Sequence, residues 1–175
     1  MKKINIVLFE PEIPQNTGNI MRTCVGINAK LHLIKPLGFS LDEKHLRRSA
    51  LDYFEDLEYE VYENYEDFKT NNDGEYFFLT RYGKKTYSKV DFRNIRDNIY
   101  LIFGKESTGV EKSILADNIS RCFRIPTTDK IRSLNLSNAV AIVAFELLRQ
   151  FDFFDLEVTE PETLKGTNFL DNFIK

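Results

Sequence analysis

Residues 125–150 read IPTTDKIRSLNLSNAVAIVAFELLRQ, a polar loop running into an apolar helix. Every residue from Ala139 to Phe145 is apolar, and only Glu146, Arg149 and Gln150 interrupt the surface, late in the segment. Ser137 or Asn138 suits the helix N-cap, because a side-chain oxygen there accepts from an otherwise unpaired backbone N–H. From Ser137 to Gln150 such a helix is about 21 Å long at roughly 1.5 Å per residue. A surface helix carries one apolar stripe and a broad polar face, whereas this one needs cover on nearly every side. Its own sheet on one face and a partner subunit on the other would supply it. Ala139, Ala141 and Ala144 are small enough to allow close helix approach.

The remaining chain supplies the sheet. Ile4 to Phe9 is short, apolar and rich in β-branched residues, the pattern of a buried strand. Leu31 to Ile34, Tyr76 to Thr80, Ile99 to Phe103 and Arg121 to Ile125 read as further strands, and Glu58 to Tyr62 alternates as an edge strand does. Glu10 to Asn19, with two prolines, two asparagines and a glycine, reads as irregular, and a helix carrying Arg22 is expected from Ile20 to Ile27. Ser40 and Glu43 form a capping box for a helix to about Ala50. Asn64 is expected to cap a short helix through Phe68, Arg81 to Asn98 to be irregular, and a short helix to end near Ala116. Strands separated by helices predict a single α/β domain with a mostly parallel sheet. The domain is expected to span residues 1–151, and residues 152–175, with weak periodicity, to form an extension that is docked or partly disordered.

Composition narrows the class. At 175 residues with 42% hydrophobic and 29% charged residues, the chain fits one folded domain. No apolar run reaches a membrane span and no signal peptide opens the sequence, so a cytoplasmic location is expected, without a membrane. Cys24 and Cys122 lack CxxC spacing, and no carboxylate–histidine cluster has metal-ligand spacing, so no metal is expected. The formal net charge is −3. Its distribution says more than its sum: acids concentrate between Glu55 and Asp67, while Arg47, Arg48, Lys84, Lys85 and Lys130 fall in basic clusters suited to an anionic partner.

Ligands of parallel α/β sheets bind at the carboxyl ends of the strands. Three loops there are rich in polar groups: Glu10 to Arg22, Gly104 to Gly109, and Thr127 to Asn138. None carries the GxGxxG of a dinucleotide site. Gly104-Lys105-Glu106-Ser107 lacks the first glycine of a phosphate loop. The two histidines, His32 and His45, fall in a strand and a basic helix rather than beside a nucleophile, which disfavours a hydrolase. What remains is Asn, Ser, Arg, Glu and backbone, an inventory suited to holding a polar ligand and orienting a hydroxyl. Arg22 is placed to reach a phosphate, a carboxylate or a nascent oxyanion, or to form a surface ion pair.

Together these loops resemble the three motifs of the SPOUT RNA methyltransferases. The matching segments are Asn16-Thr17-Gly18-Asn19-Ile20-Met21-Arg22, Phe103-Gly104-Lys105-Glu106-Ser107-Thr108-Gly109, and Ile125-Pro126 with Ser133-Leu134-Asn135-Leu136-Ser137-Asn138-Ala139. Glu10-Pro11-Glu12-Ile13-Pro14 and Leu46 to Tyr53 are similar to the TrmL (YibK-like) branch. The resemblance covers about residues 3–151. It implies 2′-O-methylation of the wobble nucleotide of tRNA (cytidine or modified uridine, position 34), S-adenosylmethionine as cofactor, a C-terminal trefoil knot and a homodimer. By position it implies Arg22, Asn16, Glu106, Ser133 and Asn135 as catalytic residues, and Leu79, Gly104, Ile125 and Ser133 as cofactor contacts. RNA contacts are expected at Arg47, Arg48, Lys84, Lys85 and Lys130, and dimer contacts along Ala139 to Leu148 and the Arg22 helix. The alternatives are action on another tRNA or rRNA site, or a non-catalytic RNA-binding module of the same fold. Phe145 stands where the branch commonly has tyrosine, and the segment after residue 151 exceeds the usual length.

Overall fold

The computed structural model describes residues 4–41 and 51–174, with residues 51–53 described by their backbone alone. The expected capping box and helix at 40–50, with Arg47, Arg48 and His45, therefore lie largely or wholly outside the described residues. Strand β1 (Ile4–Phe9) is buried along its whole length. It pairs in parallel with β2 (Lys30–Ile34) on one side and β6 (Ile99–Gly104) on the other. With β3 (Tyr59–Tyr62), β4 (Glu75–Leu79), β5 (Lys85–Thr86) and β7 (Cys122–Arg124) the sheet has seven strands, in the order β3-β2-β1-β6-β4-β7-β5. Every pairing is parallel, the arrangement expected when helices cover both faces.

Side chains alternate between the faces, as strand geometry requires. Ile6, Leu8, Leu31, Leu33, Leu101 and Phe103 pack against α1 (Pro14–Gly26) and the apolar helix, which is α4 (Leu136–Gln150). Val7, Phe9, Ile34, Phe78 and Ile102 point to the opposite face, under Phe68 of α2 (Tyr65–Asn71) and Leu115 of α3 (Lys112–Asp117). His32 lies in this second layer, 1% exposed, with its ring nitrogens bonded to Tyr62 Oη (2.9 Å) and Asn5 Oδ1 (3.0 Å). It is a core residue, and burial, more than any neighbouring charge, holds it down to a pKa of about 4. Cys24 and Cys122 are both free and buried.

Several element boundaries differ from those read in the sequence. Helix α1 begins at Pro14, not Ile20, so most of the segment read as irregular is helical. Proline is tolerated at the first helical position, where its missing N–H would have no intrahelical partner, and Asn16 and Thr17 face inward. Helix α4 is capped by Asn135, whose side chain accepts from Ser137 N and Asn138 N, rather than by Ser137 or Asn138. Asn64 caps α2 as expected, but the helix runs on to Asn71. Within the stretch read as irregular, Lys85–Thr86 form a two-residue strand that makes β5, not β7, the sheet edge.

Helix α4 shows where its cover comes from. Val140, Val143, Ala144, Leu147 and Leu148 are buried against the sheet and α1. Asn138, Phe145 and Arg149 are exposed on the other side, with Ala141 and Ile142 only half-buried. Beyond it, Phe151 and Leu156 pack on the same core, whereas Val158, Leu164, Leu170, Phe173 and Ile174 are exposed.

Candidate active site

The register of the sheet sets the site. Phe9 lies opposite Gly104, and Leu79 lies beside both Phe103 and Phe123. The loops leaving β1, β4, β6 and β7 therefore emerge side by side at the carboxyl edge. They enclose a cavity of about 630 Å³, a size that accommodates a cofactor-sized ligand. Leu79, Gly104, Glu106, Ile125, Ser133, Asn135 and Asn16 all line it.

A chain of hydrogen bonds ties three of these loops together. Asn135 Nδ2 donates to Asn16 Oδ1 at 2.9 Å, and Asn16 Nδ2 donates to Glu106 Oε1 at 2.8 Å. The Glu106 carboxylate also accepts from the backbone N–H groups of Glu12 (2.9 Å) and Ile13 (3.3 Å). It thus pins the two residues leading into α1, whose N-cap Ile13 makes no side-chain cap bond, and a carboxylate is electrostatically favoured at that helix end. The contact is returned: Glu12 accepts from Ser107 N and Ser107 Oγ, both at 2.8 Å. Those two bonds hold the Glu12 carboxyl below its ordinary pKa. Lys105 and Glu10 add an ion pair at 2.6 Å between the same loops.

Glycine is required here for two different reasons. A Cβ on Gly104 would lie 2.2 Å from Val110 N and 2.3 Å from the Gly109 carbonyl carbon, so the loop can fold back on β6 only without one. Gly109 itself has a φ of +74°, which favours glycine. Its N–H donates to the Lys105 carbonyl at 2.9 Å and closes the turn. The result is a strand end where the backbone, rather than side chains, meets a ligand.

Not every expected residue reaches the cavity. Arg22 is exposed, six residues beyond Asn16 on α1, and is outside the cavity lining. Six residues carry it about 9 Å along the helix and well around from Asn16. Lys84, Lys85 and Lys130 are exposed but do not line the cavity either. The cations that do line it are Arg81, Lys105, Lys112, Arg124 and Arg132. Sequence reading missed the part played by Glu12, which stood only in the lead-in to the first motif, and gave no signal for Lys112 or Tyr82. Among the described residues no group of three or more His, Cys, Asp or Glu could hold a metal, and no helix is long and apolar enough to cross a membrane.

Comparison with known proteins agrees with this geometry. The model of the SpoU rRNA methylase family matches residues 3–145. The tRNA (cytidine(34)-2′-O)-methyltransferase of Escherichia coli strain K12 is 43% identical over 152 residues, spanning 86% of this chain and 95% of that protein. A Geobacillus stearothermophilus relative whose name carries the same activity is 49% identical over 154 residues, spanning 87% and 98%. A solved structure reported under "Structural insights into the 2-OH methylation of C/U34 on tRNA" superimposes with a TM-score of 0.77 at 34% identity, over 87% of this chain and 98% of that one. With the motif loops, the all-parallel sheet and these relatives in agreement, the chain belongs to the SpoU methylase family, in the branch of the tRNA (cytidine(34)-2′-O)-methyltransferases.

Proposed function

We propose that this protein transfers a methyl group from S-adenosylmethionine to the ribose 2′-hydroxyl of the wobble nucleotide, position 34, of tRNA. The observation that carries the reading is the hydrogen-bonded chain Asn135–Asn16–Glu106, which joins the three motif loops around one strand-end cavity. Residues 1–151 would carry the activity in the cytoplasm, with residues 152–175 as an extension.

The residues present fit the cofactor. Leu79 and Ile125 give apolar walls and Gly104 a bare backbone edge, while exposed Ser133 adds a hydroxyl to the lining. When bound, S-adenosylmethionine supplies a methyl group on a positively charged sulfur. The protein's task is then largely to place a hydroxyl in line with that methyl. Glu106 has both oxygens occupied by three donors, which suits it to fixing the loops rather than taking a proton. Asn16 and Asn135 pass that order on to the start of α4. A guanidinium is a poor base and a good partner for negative charge. Arg22, which lies outside its own chain's cavity, is therefore assigned to stabilising the developing 2′-alkoxide in a partner copy's cavity, while the proton leaves to solvent or a neighbouring group.

The placement of Arg22 favours a homodimer. It is exposed outside the cavity lining, and α4 leaves Phe145 46% exposed beside half-buried Ala141 and Ile142. A second copy packed along α4 and the Arg22 helix would cover that stripe. The C-terminal trefoil knot belongs to the same reading. RNA contacts fall to Lys84, Lys85 and Lys130, with Arg47 and Arg48, and binding through them weakens as salt is added. The test is incubation with labelled S-adenosylmethionine and total RNA, followed by mapping of the modified nucleotide. Label at a 2′-oxygen of position 34 supports the proposal; label elsewhere, or none, overturns it.

A further inference from the structure

The mouth of the cavity carries an aromatic ring that the reaction as described does not use. Tyr82 lines the cavity and is 50% exposed. It sits in the turn after β4, which is held firmly in place. Gly83 N donates to the Thr80 carbonyl at 3.1 Å, and Thr80 N donates to the Phe123 carbonyl at 2.9 Å. Gly83 packs so closely on β7 that a Cβ there would lie 2.4 Å from the Phe123 carbonyl carbon. The ring is therefore presented by a pinned turn rather than a loose one.

Two cations attend it. The Arg81 guanidinium carbon lies 5.0 Å from the ring centroid and Lys112 Nζ 5.1 Å. Lys112 comes from a different element, the first residue of α3, and is anchored by donating to the carbonyls of Thr108 (2.8 Å) and Val110 (3.2 Å). Among the described residues lining the cavity, Glu106 is the single acid, and its oxygens are already bonded to the first loop. An exposed aromatic ring in a cationic setting, at the lip of a cavity, has the makeup of a nucleobase platform. Stacking supplies the attraction for the base, and the charges hold the adjoining phosphates.

We infer that Tyr82 is the stacking platform for the base of the nucleotide being methylated. The inference rests on the function proposed above and deepens it. In a nucleotide the base is attached to the ribose carbon next to the one bearing the 2′-hydroxyl. A hydroxyl delivered into this cavity brings its own base to the cavity mouth. Because every base offers a π-face, stacking on Tyr82 accepts cytidine and uridine alike and selects a nucleotide whose base is splayed out.

The test compares Tyr82→Phe and Tyr82→Leu with the unsubstituted protein on two anticodon stem-loop RNAs. One RNA is intact and the other lacks only the base at the methylated position. Affinity is read by fluorescence anisotropy with S-adenosylhomocysteine present, and affinity for S-adenosylhomocysteine alone by calorimetry. Tyr82→Phe should bind the intact RNA within about twofold of the unsubstituted protein, and Tyr82→Leu about five- to hundredfold more weakly, the range for loss of one base–aromatic stack. On the base-less RNA all three should bind alike. An equal loss for Tyr82→Leu on both RNAs, no loss on either, or lost affinity for S-adenosylhomocysteine overturns the platform. If the unsubstituted protein methylates the intact stem-loop while Tyr82→Leu behaves identically, the platform alone fails; if the unsubstituted protein neither binds nor methylates it, the proposed function fails too.

Discussion

Asn135 donates its side-chain N–H to the side-chain oxygen of Asn16 at 2.9 Å, across 119 residues of chain. Each asparagine also has a second task, Asn16 toward Glu106 and Asn135 as the N-cap of α4. Asn16 is buried, and replacing it removes one of the three donors to the half-buried Glu106 carboxylate. Asn16→Ala is expected to cost about 1–2 kcal/mol, the net worth of its two side-chain hydrogen bonds to partly exposed partners. Asn135→Ala should cost about 1 kcal/mol through the lost cap. Because the two touch, the double variant should lose less than the sum, by about 0.5 kcal/mol or more. Urea denaturation of the four proteins measures this, and strict additivity would show that the link transmits nothing.

Arg22→Ala separates chemistry from binding. Arg22 is outside the cavity lining, so calorimetry should find cofactor affinity within about twofold of the unsubstituted protein. Methyl transfer should fall by about a hundredfold or more, the scale for removing a charge that stabilises a developing oxyanion. An equal loss of cofactor affinity would move Arg22 into the binding set.

Ala141 and Ala144 of α4 should behave oppositely. Ala144 is fully buried in the core, while Ala141 is half-buried on the side that exposes Phe145. A leucine at Ala144 is expected to destabilise the fold by about 1–3 kcal/mol through overpacking. A glutamate at Phe145, or a bulky residue at Ala141, should leave thermal stability nearly unchanged at low concentration and shift sedimentation toward monomer. A monomeric unsubstituted protein would remove the basis for this contrast.

Acid should weaken the protein through His32. Asn5 Nδ2 donates to the Ile99 carbonyl, so Asn5 Oδ1 accepts and His32 Nε2 carries the proton. Nδ1 is then left to accept from the Tyr62 hydroxyl. Burial depresses the ring from 6.5 to about 4. The unfolded chain gains its proton near pH 6.5 and the folded one only near pH 4. The stabilisation is therefore present above about pH 6.5 and lost progressively as pH falls toward 4. At roughly 1.4 kcal/mol for each tenfold change, the loss is bounded at about 3.5 kcal/mol. Denaturation at pH 7.5, 5.5 and 4.5 should show this slope flattened in His32→Gln; an equal slope would place the acid sensitivity elsewhere.

How far the sequence could be read depended on where each residue's partners lie. Strands such as Ile4–Phe9 are legible because burial on both faces leaves an unbroken apolar run. The start of α1 was hidden because Pro14, Asn16 and Gly18 carry local loop signals, and the side chain that fixes Asn16 and the residues leading into the helix is Glu106, far along the chain. The cap of α4 was misplaced by two or three residues for a related reason: several residues there can cap, and packing chose Asn135. Asn16, Glu106, Ser133 and Asn135 do converge on one cavity, as their motifs suggested. Arg22 does not, because a motif records order along the chain and not which side of a helix a residue occupies. Tyr82 and Lys112 meet only through the register of β4 with β6 and had no local signature.

The acceptor in the proposed reaction is the 2′-hydroxyl of nucleotide 34, and one substrate tests this most directly. Transfer from labelled S-adenosylmethionine is measured on an anticodon stem-loop RNA and on the same RNA carrying 2′-deoxycytidine at position 34 alone. Full incorporation into the first and none into the second is the predicted result; undiminished incorporation into the deoxy substrate would contradict it.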